Sequence, residues 1–235
     1  MNPSLQAAQH ETMKLWACPV GVHVFEQASE FNPLLTRVLK SMRALDPQAD
    51  QSAPFYASND DLLTRIRIPE WQKWVEFLVN SIGLTAREAN AGTWPADSED
   101  LAVQIRGLWC QISSDGVHHD IHSHGNCSWS GVYVVQVDPD TERESHRVYG
   151  KRNGVTRFYG PYFDRLAGAS MDYGNAYLQQ SHLDFAPQEG RLIIFPSWLN
   201  HQAMPYQGSK DRIILSFNAS IHRSGGDQWA NYAAS

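Results

Sequence analysis

Four histidines stand within seven residues of one string, HHDIHSHGNCSWSGVYVVQV: His118, His119, His122 and His124. A later string, GRLIIFPSWLNHQAMPYQGSKDRIILSFNAS, carries His201 at the end of one apolar run and Arg212 at the start of the next. His122 and His124 are separated by one residue, so on an extended strand they project to the same side. Neutral imidazole is a good ligand for Fe(II), Zn(II), Cu(II) and Ni(II), and a guanidinium is matched to carboxylate or phosphate. Three imidazoles able to converge, with an Arg close by, suggest a mononuclear metal site that also holds an anion. That combination points to oxidative chemistry at iron.

Other metal sites fit less well. The chain has no helical His-Glu-x-x-His type of zinc motif, and Cys18, Cys110 and Cys127 lack the spacing of a zinc knuckle. A histidine-rich loop can also be merely solvated. Here the His122/His124 pair is tied to a third His that precedes an Arg, which favours a metal. His10, His23, His146, His182 and His222 have no such context and are taken as ordinary residues.

The surrounding chain must supply elements to hold these groups. Its 235 residues suffice for one domain with a sizeable core. The formal net charge of −6 and the absence of a basic run argue against nucleic-acid binding. Mean hydropathy is −0.43 and no apolar stretch approaches a membrane span. The N-terminal residues show no basic-then-apolar leader, and three widely spaced cysteines suit a reducing compartment. The expected location is the cytoplasm.

The N-terminal part alternates briefly at Val20, Val22 and Val24, then turns helical. Leu34, Leu35, Val38, Leu39 and Met42 share a face, and Asp46-Pro47 ends that run. The segment DPQADQSAPFYASND is expected to be a loop. Pro69 suits the first turn of a second helix, with Trp71, Trp74, Val75, Leu78, Val79 and Ile82 at amphipathic spacing. After Leu101 the character is β. One or two strands carry Val103, Ile105, Leu108, Trp109 and Ile112, and further strands are SGVYVVQV, a segment with Val155, Phe158 and Tyr159, RLIIFP and RIILSFNAS. The order implies helices buttressing a closed or sandwiched β core. Alternation places Arg212, Ile214 and Ser216 on one side of the last strand.

The strings HSHGNCSWSGVYVVQV, EGRLIIFPSWLNHQAMPYQG and RIILSFNAS resemble the Fe(II)/2-oxoglutarate-dependent oxygenase superfamily, and most closely its uncharacterised bacterial and phage branch. The resemblance runs from about Leu108 to Ala219, with a weaker one over the helical N-terminal half. It implies a mainly β fold, a double-stranded β-helix (a cupin-like jelly roll) with buttressing N-terminal helices. On that basis the chain is a single oxygenase domain over 1–235: a helical support region over 1–100, a jelly-roll core over 101–221 and a C-terminal tail over 222–235. The resemblance further implies that His122, His124 and His201 hold Fe(II) and that Arg212 pairs with the distal carboxylate of 2-oxoglutarate. Ser216, Ser130 and Tyr133 are further candidates for the cosubstrate.

Three departures from the superfamily pattern stand out. Most members use two His and one carboxylate, whereas this triad is all His; His118 with Asp120 is a rival pair that restores a carboxylate. Gly125 stands where a Pro is usual, and Val134 where a second Tyr is usual. Ile214 replaces a Ser two residues after the Arg. The expected activity is dioxygenation with O2, hydroxylating an unidentified small-molecule or peptide substrate and releasing succinate and CO2. The alternatives are a three-His cupin-type dioxygenase that does not use 2-oxoglutarate, or a non-enzymatic metal-binding jelly-roll protein. Trp109, Trp129 and Trp198 could line a pocket mouth or the core.

Overall fold

The computed structural model describes residues 18–94, 101–160 and 181–223. A short strand β1 (Gly21–Val24) leads into helix α1 (Ala28–Leu45), then β2 (Phe55–Ala57), α2 (Leu62–Arg65) and the long helix α3 (Pro69–Ala89). The β-rich part follows: β3 (Leu101–Ser113), β4 (Trp129–Gln136), a one-turn α4 (Asp140–Arg143), β5 (Thr156–Tyr159), β6 (His182–Phe185), β7 (Arg191–Pro196), β8 (His201–Ala203) and β9 (Arg212–Arg223).

Both helices form for the reasons visible in their residues. Pro69 occupies the first turn of α3, where its missing N–H costs nothing. Trp71, Trp74, Leu78, Ile82 and Ala86 then recur on one face and are buried. Asn90 closes the helix by donating its side-chain N–H to the Ala86 carbonyl at 2.7 Å. Helix α1 stops at Leu45 because Asp46 precedes a proline and adopts extended backbone.

Among the described residues the strands make two antiparallel sheets. The larger has the order β1-β7-β4-β9-β3-β2, and the smaller β6-β5-β8. This is the two-sheet, jelly-roll architecture expected from the sequence. The helices cover the outer face of the large sheet. Leu35 and Leu39 of α1 and Trp74, Leu78 and Ile82 of α3 share one core with Leu108, Cys110, Tyr133, Leu192, Ile194, Leu215 and Phe217. Burying each large apolar side chain fully contributes about 1.5–3 kcal/mol. Asn32 adds a polar pin, accepting the Tyr133 hydroxyl at 2.7 Å.

Strand alternation then sorts the inner face of the roll. On β9, Ile213, Leu215, Phe217 and Ala219 face the helices, so Arg212, Ile214 and Ser216 face inward. The register stacks Trp109, Ser216, Val132 and Ile193 in one row across β3, β9, β4 and β7. Gln111, Ile214 and Val134 form the next row. Gly131 lets the Phe217 ring pack directly against β4: a Cβ there would lie 2.5 Å from that ring and from the Ile193 carbonyl.

Some elements were not expected. The segment assigned as a loop contains β2, which adds to the large sheet through Tyr56 and Ile112. β6 and β8 are new, and β9 runs to Arg223, into the stretch assigned to the tail. The rest of that tail, 224–235, lies outside the described residues, as does His10. On β1, Val22 and Val24 point outward, 47% and 56% exposed, while His23 turns toward α3 and lies 2.8 Å from the Thr85 hydroxyl.

Candidate metal and cosubstrate site

The histidine string does not form a regular strand. Residues 116–124 run antiparallel to 197–206 beside β8, held at separate points: Val117 opposite Tyr206, and His122 opposite His201. The His122 N–H donates to the His201 carbonyl at 3.0 Å, and the His201 N–H donates back at 2.9 Å. His119 and His124 donate their backbone N–H groups to Ala203 and Ser197 at 3.1 and 2.8 Å. A string so rich in His, Asp, Ser and Gly offers few β-branched residues to pack, so only isolated bridges form. A bend at Ile121 breaks the alternation. Asn126, with φ of 59°, then turns the chain into β4, a conformation that Asn tolerates.

This arrangement brings His122, His124 and His201 together. One ligand-capable atom from each lies within 4.8 Å of the other two. His124 Nε2 is 3.3 Å from His201 Nε2. His201 Nδ1 is 2.9 Å from the Leu199 carbonyl, and His122 Nδ1 is 2.7 Å from the Asp120 carbonyl. A carbonyl can only accept, so in each neutral ring Nδ1 carries the proton and Nε2 keeps the lone pair a metal needs. Burial pushes His201 down to about 4, with the neighbouring imidazoles lowering it further and the Leu199 hydrogen bond opposing them. Burial, then His122, also lowers His124. Both rings are therefore neutral, ligand-competent imidazoles at neutral pH.

The loop carrying His124 is tied down from below. Ser130 Oγ donates to Asn218 Oδ1 at 2.7 Å and lies 2.9 Å from Ser197 Oγ, which in turn lies 3.0 Å from Cys127 Sγ. Ser130 thus faces inward but its hydroxyl is engaged in this network rather than in the cavity.

The three histidines line one cavity with Arg212, Ile214 and Ser216, and with Trp109, Gln111, His119 and Phe195. The space within it, counting the part open to solvent, is about 430 Å³. Arg212 is 4% exposed. Its neighbour Asp211 pairs instead with Lys40 at 2.8 Å. Arg212 makes no ion pair with any described residue, and its buried Nε has no hydrogen-bond partner among them. Burial pushes it down to about 10, which still leaves it charged at neutral pH. A buried cation without a counter-ion is costly, and an anionic ligand in the cavity would supply the missing partner. Three convergent Nε2 atoms plus an orphaned guanidinium fit a metal ion together with a carboxylate-bearing cosubstrate.

The remaining candidates sit elsewhere. His118 and Asp120 are 3.9 Å apart with side chains 52% and 97% exposed, and neither lines the cavity. Tyr133 is fully buried on the helix-facing side, 5.4 Å from Trp74 between ring centroids. Trp129 is in the core, Trp198 is largely exposed, and Trp109 is in the cavity wall. His119 and Gln111 are cavity residues that the sequence did not single out. Gln111 could be found only from its register opposite Ile214. His119 is out of phase with His122 in any regular strand, and only the bend at Ile121 brings both inward.

The fold is a jelly roll, and the residues of this cavity fit a mononuclear metal with an anionic cosubstrate. Residues 107–218 match the model of the protein family described as “Putative 2OG-Fe(II) oxygenase”. Solved structures share the architecture. HygX from Streptomyces hygroscopicus, with nickel and 2-oxoglutarate bound, is 11% identical with a TM-score of 0.55 over 86% of this chain and 82% of that one. The epimerase SnoN from nogalamycin biosynthesis, in complex with Fe3+, alpha ketoglutarate and nogalamycin RO, is 10% identical with a TM-score of 0.54 over 92% and 88%. A Pseudomonas putida prolyl-4-hydroxylase is 12% identical with a TM-score of 0.50 over 88% and 94%. At such identities these likenesses show the fold. No curated protein matches the chain by sequence. The family match over 107–218, with the shared fold, indicates a 2-oxoglutarate-dependent oxygenase, an oxidoreductase; that family uses Fe(II), 2-oxoglutarate and O2.

Proposed function

We propose that His122, His124 and His201 hold the Fe(II), that Arg212 takes the distal carboxylate of 2-oxoglutarate, and that the enzyme hydroxylates a small molecule or peptide. The observation that carries this reading is Arg212, buried and without an ion-pair partner among the described residues, in the same cavity as the three convergent imidazoles. A three-His dioxygenase working without 2-oxoglutarate would need an anionic substrate to give this cation a partner.

Bound there, Fe(II) with 2-oxoglutarate and O2 supplies the oxidative chemistry, releasing succinate and CO2 and passing an oxygen atom to a substrate C–H. The chain supplies position and environment. The Leu199 and Asp120 carbonyls hold the His201 and His122 rings with Nε2 aimed at the metal. Arg212 offers a fork of N–H donors that fixes the far end of the cosubstrate. Val132, Phe195 and Ile214 provide apolar wall between the two ends, keeping water away and strengthening the Arg–carboxylate attraction. Ser216, beside Arg212 on the same face, offers a further hydroxyl.

No described helix is long and apolar enough to cross a membrane. Cys18, Cys110 and Cys127 are all free thiols, which supports a reducing compartment such as the cytoplasm.

An anaerobic titration with Fe(II) and then 2-oxoglutarate tests the site. A weak visible charge-transfer band is expected in the wild type and should be lost in Arg212→Ala at the same cosubstrate concentration. Iron binding with a spectrum that 2-oxoglutarate leaves unchanged would sink the assignment.

A further inference from the structure

One cavity residue has no role in the site as assigned. His119 stands on the histidine-bearing segment, one bridge beyond the His122/His201 pair, with its backbone N–H on Ala203 at 3.1 Å. Its ring lies 6.1 Å from that of His122, centroid to centroid, outside the convergent triad. Phe55 packs edge-on against it at 5.3 Å and restricts its tilt. Neither ring nitrogen bonds a described residue, although the ring is half-buried and lines the cavity. It also lies close enough to feel the charge of Arg212.

We propose that His119 is a further hydrogen-bond donor for the distal carboxylate of 2-oxoglutarate, facing Arg212 across the cavity. This rests on the assignment of Arg212 made above. A carboxylate has two oxygens and about four acceptor positions, more than one guanidinium satisfies in a pocket that excludes water. An imidazole keeps at least one N–H whether neutral or charged, so the donor is present at any pH. Ile214, two residues after Arg212 on the same face, has nothing to donate. His119, reaching in from the opposite wall, fills that gap in donors.

The test is calorimetric binding to the Mn(II)-loaded protein, with 2-oxoglutarate and with pyruvate, which keeps the keto-acid end but lacks the distal carboxylate. His119→Ala should weaken 2-oxoglutarate binding roughly tenfold or more, the worth of one hydrogen bond to a charged group. Its affinities for pyruvate and Mn(II) should be unchanged. His119→Gln, which keeps an N–H donor of similar reach, should restore much of the loss. Equal weakening for pyruvate and 2-oxoglutarate, or a loss of Mn(II) affinity, would overturn the proposal, as would unchanged 2-oxoglutarate binding in both variants. Failure of the underlying assignment looks different: wild type and Arg212→Ala would then bind 2-oxoglutarate alike or not at all, and the proposal would fall with it.

Discussion

The two walls of the cavity are built on opposite principles. The β3–β9–β4 wall carries Arg212 and Ser216 on a continuous ladder, backed by the α1 and α3 side chains packed on its outer face. The opposite wall carries His119, His122 and His124 on a segment joined to 197–206 at isolated points. The first wall is braced by its own packing, so it can hold a buried cation with no ion-pair partner among the described residues. The second is held by isolated backbone hydrogen bonds and a few ring contacts, so a bound metal is expected to add to its order. On the proposed assignment, the fold alone would position the cosubstrate's far end, whereas the His segment would share the setting of the metal site with the ion.

Substitutions and conditions can separate the two walls. The largest effect is expected for Trp74→Ala, which empties a fully buried position against Trp71 and Tyr133. It should cost about 3–5 kcal/mol in urea unfolding of the metal-free protein. A loss under 1 kcal/mol would mean the helices do not brace this wall.

The next effect is of pH on the metal-free protein. His201 titrates near 4 folded against 6.5 in the unfolded chain, so the unfolded state binds more protons in between. The stability is fully present above about 6.5 and is lost as pH falls toward 4, by at most about 3 kcal/mol from this ring. The urea midpoint should fall across that window, and the fall should be shallower in His201→Ala. An equal slope in the variant would place the titration elsewhere.

Metal binding should stabilise the second wall. Mn(II) at about a hundred times its dissociation constant is expected to add about 2.7 kcal/mol. In hydrogen exchange, the amides of His119, His122 and His124 should open locally in the metal-free protein and gain protection with Mn(II). Leu215 and Phe217 should exchange only on global unfolding in both states. Protection of the histidine segment that equals that of β9 without metal would erase the contrast.

The smallest effect concerns Tyr133. Tyr133→Phe should cost about 1–2 kcal/mol by leaving Asn32 without its donor. Its 2-oxoglutarate affinity should not change, because the residue is on the helix side of the sheet. A weakened affinity would return Tyr133 to the cosubstrate.

What the sequence made legible follows the same division. Both long helices were readable because amphipathic spacing, Pro69 and Asp46-Pro47 are local signals. The inward phase of β9 was readable because Arg212 and Ser216 mark it among apolar residues. SGVYVVQV has no such marker: both its faces are apolar because both are buried, and Tyr133 was placed on the wrong one. β2, β6 and β8 are three or four residues long and exist because a partner strand is beside them, which no local pattern reveals. The histidine pair was legible by spacing, yet its convergence with His201 comes from a bridge between residues 79 positions apart. His119 was missed because a bend, not a strand, turns it inward.

The central claim is that three imidazoles, with no carboxylate, hold the metal opposite Arg212. A crystal structure of the Mn(II)-loaded protein with 2-oxoglutarate, grown without oxygen, tests it most directly. Expected are Nε2 atoms of His122, His124 and His201 on the ion and the distal carboxylate of the cosubstrate on Arg212. A metal held by His118 and Asp120, or a cosubstrate carboxylate remote from Arg212, would contradict it.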